Sequence, residues 1–145
     1  MTDGSDPFDL ARFVDAQRAD YPGILRELRA ARKTSHWMWF IFPQVAGLGQ
    51  TWTSQHYAIR SLDEARAYLA HEVLGARLRE CTDAVLAAPP GATAQSIFGG
   101  IDAMKFRSSM TLCLRAAPGE PRWQQALDRF YDGAPDLRTD DLLAR

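Results

Sequence analysis

The sequence of 145 residues has few of the side chains that build disulfide frameworks or metal sites. Its two cysteines, Cys81 and Cys113, lie far apart and outside any CxxC motif, so we expect two reduced residues in the core. The histidines His36, His56 and His71 show no HxxxH or HxH spacing, which argues against a zinc site. We therefore predict that the protein holds no metal and no cofactor.

An excess of charge and a long apolar run are also missing. The sequence has 17 Lys and Arg and 18 Asp and Glu residues, which gives a net charge of −1, so we expect no nucleic-acid partner. The longest uninterrupted apolar run, residues 37–43, is far shorter than the about 20 residues that cross a bilayer, so we expect no membrane association. The opening MTDGSDPFDL has no basic region followed by an apolar stretch, so the default expectation is a cytoplasmic location. The sequence leaves the oligomeric state open.

Alternating patterns typical of strands are nearly absent, and helical periodicity dominates. A chain of this length, with 46% hydrophobic and 24% charged residues, fits one globular domain. We predict an all-α, compact multihelical single domain over residues 1–145. Helices are expected at about residues 6–18, 22–33, 61–69, 72–87, 93–98, 101–115 and 121–131, with a last short turn capped by Thr139. Composition favours a strand for WMWFIF, residues 37–42, but the flanking helices favour a helical turn, which we predict.

The most unusual segment is KTSHWMWFIFPQVAGLGQT, residues 33–51, in which large apolar side chains adjoin polar ones. Ligand pockets are mostly apolar with a few convergent polar groups, and a flat ring stacks well on an indole. The alternative is that the aromatic side chains are simply core. The candidate ligand-binding residues of this segment are Lys33, Ser35, Trp37, Trp39 and Gln44, and His36 is a candidate acid or base.

A second segment, IFGGIDAMKFRSSMTLC at residues 97–113, carries charges on a helix that is apolar on two sides. Helical spacing brings Asp102, Lys105 and Ser109 to one face, in or near the interior. Buried charges must be paired or must serve a ligand, so we predict catalytic roles for Asp102 and Lys105 and ligand binding by Ser108 and Ser109. The alternatives are an Asp102–Lys105 ion pair and a Ser108 hydroxyl bonded to the backbone four residues earlier.

Two glycines, Gly99 and Gly100, precede this helix and leave its first amides uncovered by side chains. A helix N-terminus binds phosphate or carboxylate readily, although Asp102 could cap the helix instead. We therefore predict a pocket between the two segments for a nucleotide-like or phosphorylated small molecule. The alternative is a non-enzymatic protein-interaction module, in which the aromatic run is core or anchors a partner.

The chain resembles a bacterial family catalogued as domain of unknown function 1810, whose members are sometimes mislabelled calpastatin. The matching strings are DPFDLARFVDAQ, KTSHWMWFIFPQVAGLG, YAIRSLDEARAYLAHEVLGARLREC and IFGGIDAMKFRSSMTL. Thr51, Glu72 and Cys113 depart from the usual pattern, outside the candidate site residues. Size and motif order also resemble those of a mycobacterial hypothetical protein, and the resemblance implies a multihelical fold but no accepted activity.

A fainter likeness points to a reaction class. The order of a YAI…EA helix, an LGxRL helix and a DAMKF helix is similar to that of an all-helical superfamily of NAD and ADP-ribose metabolism. That likeness implies cleavage of an N-glycosidic bond by carboxylates and a lysine in an aromatic pocket. Such a reaction would need Asp102 or Glu64 ionised beside the bond while an oxocarbenium-like centre develops.

Overall fold

Ten α-helices follow one another along residues 6–145, the part of the chain that the computed structural model describes. They are α1 Ala11–Gln17, α2 Tyr21–Arg29, α3 Met38–Ile41, α4 Trp52–His56, α5 Leu62–Ala70, α6 Leu74–Leu86, α7 Ala94–Phe98, α8 Gly100–Ala116, α9 Pro121–Tyr131 and α10 Leu137–Leu143. This range contains no strands, only an isolated parallel bridge between Val45 and Ile59. The prediction of an all-α, compact multihelical fold is confirmed, including the helical turn within residues 37–42. Residues 1–5, part of the predicted domain, lie outside the described residues.

Helix α1 begins at Ala11, about five residues later than predicted, and α2 ends at Arg29 instead of near residue 33. Two further short helices, α4 and α10, also depart from the prediction. Helix α4 was not predicted, because its sequence TWTSQH has no apolar periodicity, and none of its residues is buried. The hydroxyl of Thr51 caps it by accepting a hydrogen bond from the Ser54 amide. Helix α10 is capped by Asp136 and not by Thr139, whose amide and buried hydroxyl both donate to the Asp136 carboxylate. The cap of the last helix therefore lies three residues earlier than the sequence suggested.

Helix α8 lies at the centre and packs against α5, α7, α9 and α10. Its Phe106 side chain is completely buried, 4.9 Å from the Phe42 ring centroid in an edge-to-face arrangement and 4.8 Å from that of Phe98. These rings join α8 to α7 and to the segment that contains α3. The aromatic core thus carries both segments that the sequence marked as candidates for function.

Arg12 on α1 fixes the N-terminal part of the fold to the α4–α5 connection. Its guanidinium makes five hydrogen bonds, four to backbone carbonyls in segments 8–9 and 56–58 and one to Glu64. The Arg12–Glu64 ion pair measures 2.7 Å and is almost completely buried. The Ser61 hydroxyl caps α5 by accepting a hydrogen bond from the Glu64 amide, while the Glu64 carboxylate accepts one from the amide of Arg60, one residue earlier than in a capping box.

No helix within residues 6–145 has both the length and the apolar character needed to cross a bilayer.

Candidate functional site

Two lysines converge on one carboxylate at the start of α8. The Lys33 Nζ atom lies 2.8 Å from Asp102 Oδ2, and the Lys105 Nζ atom lies 3.7 Å from Asp102 Oδ1. These are the only two lysines in the sequence, and the other 15 of its 17 basic residues are arginines. The ion pair between Asp102 and Lys105 is therefore present, but the shorter contact is to Lys33.

Local structure brings the three charges together. The Lys33 amide donates a 2.8 Å hydrogen bond to the Ile97 carbonyl, which holds the segment after α2 against the end of α7. Asp102 and Lys105 stand one turn apart on α8, where side chains lean toward the helix N-terminus. The Lys33 side chain is 7% exposed, while those of Asp102 and Lys105 are 20% and 23% exposed. Lys33 is thus an interior cation, and the other two groups can be reached from solvent.

A cleft of about 380 Å³ adjoins these charges, and we call it the Trp39 cleft. Its polar lining consists of Lys33, His36 and Asp102, and half-buried Trp39 forms one side. The remaining lining residues are Met38, Phe98, Gly99, Gly100 and Ile101. The Lys105 ammonium lies 4.7 Å from the centroid of the Trp39 ring, within range of a cation–π interaction. Residues from both candidate segments therefore line one concave surface.

The first turn of α8 borders this cleft without a side-chain cap. Gly99 has a φ of +82°, and no side chain among the described residues caps the helix. The alternative in which Asp102 caps the helix is wrong, because its carboxylate faces the two lysines. A methyl group added at Gly100 would meet no atom within 4 Å, so the space in front of this turn is open. Free amides of this kind favour an anion.

Glu27 organises the loop that carries Lys33 and His36. Its carboxylate accepts hydrogen bonds from the amides of Thr34 and Ser35, the Ser35 hydroxyl at 2.6 Å and the Trp37 indole at 3.0 Å. Desolvation raises the pKa of this carboxyl group, but the hydrogen bonds together outweigh it and bring the pKa down to about 2. Sequence reasoning missed Glu27, because its partners lie in a loop and form no periodic pattern with α2.

Several candidate residues lie away from the Trp39 cleft. Trp37 is 2% exposed and packs in the core, and Ser35 faces Glu27. Gln44 borders a separate cavity of about 200 Å³, beside α4. Ser109 is fully buried, so solvent does not reach it. Their roles in binding remain predictions.

Two further candidates are held by structural contacts. The Ser108 hydroxyl lies 3.1 Å from the Met104 carbonyl, four residues earlier, and 2.9 Å from the Asp136 carboxylate, and its single proton is shared between these two acceptors. The backbone bond considered for Ser108 is therefore present. Glu64 lines a different cleft and is paired with Arg12, so the structure does not bring it to Asp102.

A larger groove of about 690 Å³ lies on the other side of the first turn of α8, and we call it the Lys105 groove. Gly100 and Ile101 line both the groove and the Trp39 cleft. The other residues that line it include Leu48, Thr93, Ala94, Gln95, Ala103, Met104, Lys105, Arg107, Ser108, Phe130, Tyr131, Asp136 and Arg138. The start of α8 therefore separates two concave surfaces and is accessible from each.

Comparison with known proteins gives a family without a described activity. No curated protein matches this sequence. The crystal structure of the conserved hypothetical protein Rv1873 from Mycobacterium tuberculosis is 48% identical, with a TM-score of 0.94, over 97% of this chain and 99% of that one. The family model described as "Protein of unknown function (DUF1810)" matches residues 7–143. Since this match spans nearly the whole chain, the protein belongs to the DUF1810 family.

Proposed function

We propose that the protein binds a phosphorylated, nucleotide-like small molecule at the start of α8, with the ligand's ring in the Trp39 cleft. The observation that carries this proposal is the convergence of both lysines of the chain on the single carboxylate of Asp102. Two positive charges and one negative charge leave this cluster with a net positive charge. A ligand phosphate would supply the missing negative charge.

Lys105 is the residue best suited to contact that phosphate. Its ammonium group is 3.7 Å from Asp102 and makes no hydrogen bond with any residue in the range 6–145. An ammonium group carries three donors, so donors of Lys105 are available to a ligand. The uncapped first turn of α8 lies on the same side and would add backbone amides.

The ring would lie along Trp39, whose indole is half-buried and part of the cleft wall. His36 is exposed at the edge of the cleft, and histidine is a common general acid or base. Asp102 is the one carboxylate among the residues that line the cleft. A hydrolysis of an N-glycosidic bond would therefore depend on Asp102 alone for charge stabilisation, so the geometry supports binding better than this reaction.

A non-enzymatic interaction module is the second candidate. Ile101 and Met104 on α8 are 73% and 71% exposed, and exposed apolar side chains of this size can anchor a protein partner. Binding of a small molecule that requires Lys105 would argue against this candidate. The same experiment therefore tests both.

The test is a thermal-shift series with AMP, ADP-ribose, ribose 5-phosphate and, as the uncharged comparison, adenosine. A ligand at 100 times its dissociation constant adds about 2.7 kcal/mol, which raises Tm by several degrees in a domain of this size. We expect phosphorylated compounds to shift Tm in the wild type and not in Lys105→Met. Arg18→Met is the matched control, because this side chain is 73% exposed and lies just after α1, outside the Trp39 cleft. The proposal fails if no compound shifts Tm or if Lys105→Met retains the full shift, and free adenine in the ADP-ribose sample would reveal hydrolysis.

A further inference from the structure

We infer that the ligand is a phosphate ester with an apolar group, and that the Lys105 groove holds this group. This inference rests on the phosphate site proposed above and adds the chemical class of the remaining part of the molecule. The volume of about 690 Å³ is in the range of small-molecule pockets. The apolar group would extend from the phosphate along α8, on the side opposite to Trp39.

The charges of the groove select an anion. Three cationic side chains line it, those of Lys105, Arg107 and Arg138, against the single carboxylate of Asp136. Arg107 donates to the carbonyls of residues 134 and 135, and Arg138 donates to that of residue 47, so neither guanidinium is neutralised by these contacts. The Asp136 carboxylate already accepts hydrogen bonds within the fold, from the side chains of residues 108 and 139. An anionic ligand would therefore complement this surface.

The walls of the groove select an apolar substituent. Ile101 and Met104 leave 73% and 71% of their surface in contact with water, although both belong to the central helix. Half-buried Phe130 and Tyr131 line the same groove. A bound alkyl or aryl group would remove this apolar surface from water, which is favourable in proportion to the area covered.

Lys105 connects the two parts of the ligand. Its side chain lines the groove, and its ammonium group lies beside Asp102 and above the Trp39 ring. A phosphate bound by this ammonium group would therefore lie at the end of the groove, with its ester oxygen free to carry a substituent along Ile101 and Met104. A purely polar ligand would leave those two side chains exposed.

The test measures the affinity of methyl, butyl and hexyl phosphate by calorimetry. Each buried methylene contributes about 0.8 kcal/mol when fully covered, and less in an open groove, so we expect about two- to fourfold tighter binding per methylene. Hexyl phosphate should then bind at least about fourfold more tightly than butyl phosphate. Hexyltrimethylammonium, with the same chain and the opposite charge, should not bind, and its binding would overturn the inference.

Variants locate the apolar contact. Met104→Gln alters an exposed side chain that lines the groove and not the Trp39 cleft, so the variant should fold and bind methyl phosphate as the wild type does, but with a smaller gain per methylene. Trp52→Gln removes an equally exposed apolar side chain that does not line the groove, and it should change nothing.

The possible failures are distinguishable. Lys105-dependent binding of AMP or methyl phosphate with no gain from chain length would overturn this inference and leave the proposed function intact. No binding of any phosphate compound would overturn both. Binding to vesicles that contain phosphatidic acid, without binding of soluble hexyl phosphate, would indicate a contact with a membrane surface. It would also overturn the inference that the Lys105 groove holds the apolar group of a small ligand.

Discussion

The Glu27→Gln substitution removes the negative charge around which the loop of residues 34–37 is folded. In the native protein the Glu27 carboxylate accepts four hydrogen bonds, from two amides, one hydroxyl and the Trp37 indole. A glutamine has one acceptor oxygen and an amide group that cannot accept the remaining bonds. We expect the variant to fold, to lose stability at neutral pH, and to lose much less at low pH.

The pKa of Glu27 sets the size of this effect and its direction. The pKa falls from 4.5 to about 2 on folding, a difference that corresponds to an upper limit of roughly 3.4 kcal/mol at 1.36 kcal/mol per unit. Because the carboxylate is partly exposed, solvent screening reduces this figure, and we expect about 1–2 kcal/mol. A depressed folded-state pKa stabilises the protein above pH 4.5, and this contribution disappears as the pH falls toward 2.

Urea unfolding at about pH 7, 5 and 3 measures the free energy of unfolding of the wild type and of Glu27→Gln. The difference between the two proteins should be largest at neutral pH and should shrink below pH 4.5. Glu72→Gln is the control, because Glu72 is exposed and its carboxylate accepts no hydrogen bond from residues 6–145. If the free energy of unfolding differs between wild type and Glu27→Gln by the same amount at all three pH values, the low pKa of Glu27 does not stabilise the folded protein.

Three further changes test other parts of the structure. Arg12→Ala leaves the buried Glu64 carboxylate without its cation and should lower the free energy of unfolding in urea by about 3–5 kcal/mol. Arg18→Ala, which removes an exposed ion pair, should lower it by less than about 1 kcal/mol. Equal losses in the two variants would contradict the stabilising role of the buried pair. Gly99→Ala places a side chain at a φ of +82° and should lower the unfolding free energy by about 1–2 kcal/mol, while Gly100→Ala, in open space, should be neutral or slightly stabilising. Both cysteines are buried with pKa values raised by desolvation to about 12, so a disulfide reagent at mildly alkaline pH should label them only after unfolding, and rapid labelling of the native protein would show that they are accessible.

The helical fold was predictable from the sequence wherever apolar residues recur with helical spacing. Helix α9 occurs at the predicted residues, 121–131, because an initial proline and the turn at Asp132 and Gly133 define its ends. Helix α4 was not predictable in the same way, since it buries none of its residues and depends on a single cap. Apolar residues recur with helical spacing because one face of a helix is buried, so a helix without a buried face shows no such pattern in its sequence.

The candidate site was predictable only in part. Motif composition selected Lys33, Trp39 and Asp102, which the structure brings to one cleft. It did not distinguish the buried Trp37 from Trp39, which lines the cleft, because the two residues lie in the same short apolar segment and have similar sequence neighbours. The difference arises from Glu27, which binds the Trp37 indole from ten residues earlier in the chain. Contacts of this kind follow from the path of a loop, which has no periodic signal.

The restriction of lysine to two positions has a practical consequence for anyone who handles this protein. Reagents that couple through side-chain amines, such as activated esters, dyes and sensor-chip linkers, have no target among the side chains other than Lys33 and Lys105. Tagging of a side chain by that chemistry would modify first Lys105, the more exposed of the two, and so would change the charge beside Asp102. Isotope-labelled methyl groups on the same two amines, in contrast, would give a magnetic resonance spectrum with almost no background, in which each signal reports on this one region.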